Sequence, residues 1–126
     1  EIKYISSLGF EIGSHGSSHK VLSRLKKSAQ FVDIKNSKLF LEETIGKKIN
    51  TFCYPYGRKM SYNKHTIESL KQLNFVFSMA VESRDIDITD LKQKPYELPR
   101  YDCNEVDLIF QKYWLLNLQS NNLLIY

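Results

Sequence analysis

Two histidines four residues apart, in Gly13-Ser14-His15-Gly16-Ser17-Ser18-His19, are the residues whose types and spacing most directly suggest chemistry. Side chains at i and i+4 emerge on one face of a helix, or of a tight turn entering one. Two neutral imidazoles so placed can reach one divalent ion, about 2 Å from each ligating nitrogen. Gly16 lets the backbone bend sharply, and the Ser17 and Ser18 hydroxyls can cap exposed N–H groups of the turn. The chemistry this suggests is metal-dependent hydrolysis. The same spacing also arises by chance on solvated helices or in loops whose histidines bond backbone carbonyls, so it does not decide alone.

The neighbouring elements must hold such a pair in place. The spacing predicts a helix over residues 1–8 ended by Gly9, a short strand over 10–13, and then the histidine loop. A helix over 28–45 follows, with Phe31, Ile34, Leu41 and Ile45 on one stripe and Gly46 closing it. Thr51-Phe52-Cys53-Tyr54 is β-prone and stops at Pro55, which has no N–H to continue a ladder. Ser61 is placed to cap a helix carrying Ile67, Leu70 and Leu73, with Asn74 as its left-handed end, before a buried strand over 75–81. A polar loop over 82–94, the segment Tyr96-Glu97-Leu98-Pro99-Arg100-Tyr101, and a helix over 105–119 with Val106, Ile109, Phe110 and Tyr113 inward complete the reading. Helices alternating with short buried strands argue for a parallel sheet with outer helices, either an open doubly wound sheet or a barrel. In both, functional groups gather at the strands' C-terminal ends. That would bring the histidine loop and the Pro55-Tyr56-Gly57 turn to one rim.

Composition sets the outer limits. The chain has 126 residues, 42% hydrophobic and 13% aromatic, as expected of one folded domain spanning 1–126. Its net charge of +4 comes from 18 basic residues among 14 acidic ones, an ordinary solvated exterior. The tightest basic cluster, Arg24, Lys26 and Lys27, lacks the interleaved aromatics of a single-strand platform, so no nucleic-acid partner is expected. Cys53 and Cys103 are too few for a disulfide framework and read as small buried groups, which leaves the compartment open. No apolar run approaches eighteen residues and no basic-then-apolar leader opens the sequence. Glu1 falls within the first predicted helix, so a preceding segment is expected. His65 reads as a solvated helix residue, and Trp114, Leu115 and Leu116 as packing residues. The tail over 120–126 carries no signal.

Three segments resemble the polysaccharide deacetylases that share the NodB homology domain, also called carbohydrate esterase family 4. Phe10-Glu11-Ile12-Gly13-Ser14-His15-Gly16-Ser17-Ser18-His19 is similar to the family's metal-binding motif of histidine, serine or threonine, two variable residues and histidine, with Gly16 in place of the hydroxyl. Phe52-Cys53-Tyr54-Pro55-Tyr56-Gly57 is similar to the motif that walls the groove, and Leu98-Pro99-Arg100 to a later segment that delivers an arginine. The resemblance spans roughly residues 1–110, leaving 111–126 as a C-terminal helix and tail. It implies part of a distorted (β/α) barrel that removes N-acetyl or O-acetyl groups from a polysaccharide, commonly in the cell envelope or outside the cell. His15 and His19 would hold a divalent metal, zinc first among candidates, together with an aspartate. The Tyr56 N–H would meet the oxyanion, and Tyr54, Pro55, Tyr56 and Gly57 would line the sugar site. Arg100 would orient a catalytic carboxylate.

Two departures from the family pattern shape the expectation. The Asp-Asp pair that supplies the metal-binding aspartate and the base is absent from the chain, and no histidine follows His65 to supply a late general acid. The 126 residues alone are therefore expected to be inactive. Two other functions stay open: a non-catalytic glycan- or metal-binding deacetylase-like module, and a basic nucleic-acid-binding α/β domain.

Overall fold

A computed structural model describes residues 1–102 and Asn104. Cys103, the helix expected over 105–119 and the tail lie outside the described residues. The chain opens with α1 (Ile2–Ser7), passes through the histidine loop and a 3₁₀ turn (Leu22–Arg24), and enters α2 (Lys27–Ile45). Then come β1 (Thr51–Cys53), α3 (Lys64–Gln72), β2 (Phe77–Val81), α4 (Ile88–Gln93) and β3 (Leu98–Arg100). The three strands form a parallel sheet in the order β1-β2-β3, with Phe52 opposite Ser78 and Ala80 opposite Pro99. Parallel neighbours require crossovers, which α3 and α4 supply. The fold is α/β with parallel strands and outer helices, as the alternation predicts. No helix among the described residues is long and apolar enough to cross a membrane.

Three local expectations need correction. Residues 10–13 form no strand; the segment touches the sheet through one parallel bridge, Ser14 to Phe52. The Ser14 N–H donates to Thr51 O at 2.9 Å and the Cys53 N–H to Ser14 O at 2.8 Å. Gly13 already lies against Thr51 and Phe10 is largely exposed, so the chain meets β1 at a single residue before it turns away. The cap of α3 is Asn63, not Ser61: Asn63 Oδ1 accepts from the His65 and Thr66 N–H groups while Thr66 Oγ1 accepts from the Asn63 N–H. Ser61 Oγ donates instead to the Arg58 carbonyl. The loop over 82–94 contains α4, started by the reciprocal cap of Asp87 and Asp90, whose carboxylate also takes a bidentate bond from Arg84 at 2.6 and 2.8 Å.

The core lies between the sheet and the long helix. Phe52 packs edge-on to both Tyr54 and Phe75, with ring centroids 5.6 Å apart in each case, and Ile34, Ile49 and Leu70 close around them. Burying each such side chain stabilises the fold by about 1.5–3 kcal/mol. The Tyr54 ring stacks on Tyr62 at 3.9 Å and is fully buried. Its hydroxyl donates to the Tyr96 carbonyl at 2.8 Å, with Ser78 Oγ at 2.9 Å. Tyr54→Phe is expected to cost about 1–2 kcal/mol in urea unfolding, the price of leaving those buried partners short of a bond.

Candidate metal and substrate site

Three chain segments leave the sheet at the same rim. The histidine loop departs after the Ser14 bridge, the turn from Tyr54 to Gly57 departs after β1, and Arg100 ends β3. A groove of about 800 Å³ is lined there by His15, His19, Tyr56, Arg100 and Asp102, with Arg24, Arg58 and Met60 also contributing. This is the convergence expected at the C-terminal ends of parallel strands.

His15 is held by its own neighbour on the sheet. Its Nδ1 lies 2.7 Å from the Cys53 carbonyl, which has only lone pairs to offer, so Nδ1 carries the proton and Nε2 presents a free lone pair. Metal-ligating histidines are characteristically fixed in this way through the other ring nitrogen. The rings of His15 and His19 are 5.1 Å apart between centroids and tilted by 53°. Two imidazoles bonded at about 2 Å to one tetrahedral ion stand roughly 5 Å apart between centroids, so the pair fits a shared ion. Among the described residues no third histidine, cysteine, aspartate or glutamate completes a group of three. The loop reaches this geometry without a helix: Gly16 and His19 both take left-handed backbone, with φ of 77° and 49°.

Burial pushes the His15 imidazole below the usual histidine range, and the charges of His19 and Arg100 push the same way, against the raising effect of the Cys53 carbonyl. The neutral ring that can ligate a metal thus persists to lower pH than in a free histidine. The unfolded chain binds more protons than the native chain between the depressed pKa and the ordinary histidine value of 6.5. The His15 contribution to stability is accordingly present above that value and lost as pH falls through the depressed pKa. Urea unfolding of the metal-free protein from pH 8 to pH 5 is expected to show this loss, with a flatter profile for His15→Asn.

The second segment is a strained turn. Tyr56 has φ 63° and Gly57 φ 70°. Among the described residues the only other non-glycine residues at positive φ are His19, on this same rim, and Asn74, which follows α3. Such backbone persists only where its surroundings over-determine it. The Tyr56 ring is 57% exposed and tilts against His19 at 5.1 Å between centroids, and its N–H makes no hydrogen bond among the described residues. Tyr54 and Pro55, expected on the groove wall, are fully buried instead. Gly57 is buried too, locked to β2 by a 2.8 Å bond from the Val81 N–H to its carbonyl.

Arg100 sits behind this turn. Burial pushes the Cys53 thiol up, against the lowering effect of the Arg100 cation. The buried Arg100 Nε has no hydrogen-bond partner among the described residues. A buried, unmet guanidinium donor suits a carboxylate brought alongside it. Two acids escaped the sequence reading: Asp102, which lines the groove and accepts from the Asn104 N–H at 3.0 Å, and Asp33, which bonds the histidine loop from α2.

The polysaccharide deacetylase family profile matches residues 1–78, and the chain belongs to that family. No protein of curated function matches it in sequence. Among solved structures it is similar to the Streptococcus pyogenes deacetylase PplD in complex with acetate, with 21% identity and a TM-score of 0.71 over 79% of this chain and 42% of that one. It is also similar to a polysaccharide deacetylase from Bacillus cereus, with 20% identity and a TM-score of 0.69 over 80% of this chain and 30% of that one. A third is a family 4 carbohydrate esterase pseudoenzyme from Bacillus anthracis, with 13% identity and a TM-score of 0.58 over 91% of this chain and 45% of that one. The chain thus spans less than half the length of these proteins, and its α/β fold is a part of their barrel.

Proposed function

We propose that this chain carries the metal and oxyanion rim of a metal-dependent hydrolase that removes acetyl groups from a polysaccharide. The observation that carries the reading is the His15 ring: its Nδ1 is tied to Cys53 O, and its centroid stands 5.1 Å from that of His19 on the rim shared with Tyr56 and Arg100. His15 and His19 would hold the ion, zinc being the expected one since both donors are imidazoles. When bound, such an ion polarises an acetyl carbonyl and acidifies water. The chain's own groups do the rest. Cys53 O fixes the tautomer of His15, and the Tyr56 N–H stands ready for the developing oxyanion, a donor typically worth about 3 kcal/mol of barrier. The exposed Tyr56 ring offers a sugar an apolar face. Arg100 Nε would orient a carboxylate base and hold its pKa down.

That carboxylate is not supplied by an Asp-Asp pair within the 126 residues. We therefore expect these residues alone to bind zinc without hydrolysis, and the endogenous protein, its N-terminus read by intact mass, to release acetate from an N-acetylated oligosaccharide in a chelator-sensitive way. Robust zinc-dependent release by the 126 residues would contradict the first expectation. Zinc binding with no release from either form would favour a non-catalytic module. The fold's occurrence in a pseudoenzyme makes that the second reading.

A further inference from the structure

The inner face of α2 carries three buried polar side chains at helical spacing, Gln30, Asp33 and Ser37. Gln30 serves the frame: its amide donates to Leu25 O at 3.0 Å and its oxygen accepts from Thr66 Oγ1 at 2.6 Å. The other two reach the histidine loop. Ser37 Oγ accepts from Ser14 Oγ at 2.9 Å, immediately before His15. Asp33, 8% exposed, meets the turn between the two histidines. Its Oδ2 accepts from the Ser17 N–H at 3.0 Å, and its Oδ1 from Ser17 Oγ at 3.0 Å and the Ser18 N–H at 3.1 Å.

We infer that Asp33 is a positioning residue of the metal site: its carboxylate grips the amides of Ser17 and Ser18 and so sets the turn that presents both imidazoles to one ion. The inference rests on the reading of His15 and His19 as metal ligands. A carboxylate taken out of water must have its lone pairs met, and among the described residues every hydrogen bond of Asp33 goes to this one turn. The fit is also steric. A Cβ at Gly16 would stand 2.7 Å from Asp33 Oδ2, so the carboxylate fills the space that a side chain at position 16 would need. The left-handed His19 lies one residue beyond the last amide that Asp33 holds, where a strained conformation has to be fixed from outside. A turn pinned at Ser14 by Ser37 and at Ser17 and Ser18 by Asp33 leaves the two rings little freedom to separate.

The test compares the intact protein with its Asp33→Ala and Asp33→Asn variants by two readouts. One is the zinc dissociation constant against a competing chelator; the other is amide hydrogen exchange at Ser17 and Ser18 in the metal-free state. Asp33→Ala is expected to weaken zinc binding about ten- to hundredfold, the range typical for groups that support metal ligands. Exchange at the two amides should accelerate while Phe52 stays protected. Asp33→Asn, which keeps one acceptor oxygen and sets an NH₂ against an N–H, should fall between. Zinc affinity within twofold of wild type in Asp33→Ala overturns the inference, whatever happens to the melting temperature. Should that variant fail to fold, Asp33→Asn and Ser17→Ala decide, and unchanged affinity in both overturns it equally. A wild-type protein that binds no zinc overturns the metal reading itself, and the exchange data then show separately whether Asp33 pins the turn.

Discussion

Replacing His15 with alanine is expected to weaken zinc binding at least about a hundredfold in calorimetric titration. The change removes one of two imidazoles, and no third donor among the described residues stands ready to replace it. It also removes the ring whose tautomer the fold fixes, through the 2.7 Å bond to Cys53 O. The damage should stay local. His15 is half-buried and the lost bond to Cys53 O is worth about 1 kcal/mol, so the metal-free variant should still unfold cooperatively. His65→Ala serves as the control, because His65 lies on α3 with its Nδ1 3.3 Å from Glu68 Oε2, apart from the groove. Equal zinc affinity in His15→Ala and wild type would remove the basis for the proposed function.

A single methyl at Gly57 is expected to be the more damaging change to the fold. Built on the backbone, that Cβ stands 2.5 Å from Val81 Cγ2, 2.9 Å from Arg100 Nη2 and 3.0 Å from Val81 N. The turn cannot step aside, because the Gly57 carbonyl accepts from the Val81 N–H. Left-handed backbone at a residue with a side chain costs about 1–2 kcal/mol, and overpacking about 1–3 kcal/mol more, so Gly57→Ala should lose about 2–5 kcal/mol of stability. The shift in denaturation midpoint measures it. The site should suffer as well, since the residues met are Arg100 on the rim and Val81 at the end of β2. A loss below about 1 kcal/mol would mean that the turn is softer than its contacts indicate.

Long-range organisation was legible in the residues because it follows from periodicity. The stripe of Ile34, Leu41 and Ile45, the stop at Pro55 and the β-prone run at Thr51 together imply parallel strands with a shared rim, and the rim is where His15, His19, Tyr56 and Arg100 meet. What stayed hidden depends on partners distant in sequence. Tyr54 and Pro55 belong to the segment that resembles the groove motif, yet the Tyr54 ring stacks on Tyr62 and its hydroxyl meets the Tyr96 carbonyl, partners that no local pattern announces. Ser61 and Asn63 are both good caps, and only the Thr66 hydroxyl, three residues after Asn63, favours the second. The helix α4 was signalled by Asp87 and Asp90 at capping spacing, a cue outweighed by the polarity around it. Asp33 shared the inner face of α2 with Ile34, and a buried aspartate beside a core isoleucine was the available hint that the helix had a polar task.

The most direct test of the central claim is anomalous diffraction from crystals of the protein grown with zinc. The expected result is one strong peak within bonding distance of His15 Nε2 and a ring nitrogen of His19, with His15 Nδ1 still on the Cys53 carbonyl. A peak elsewhere, or zinc on His15 Nδ1 with the Cys53 bond broken, would contradict it.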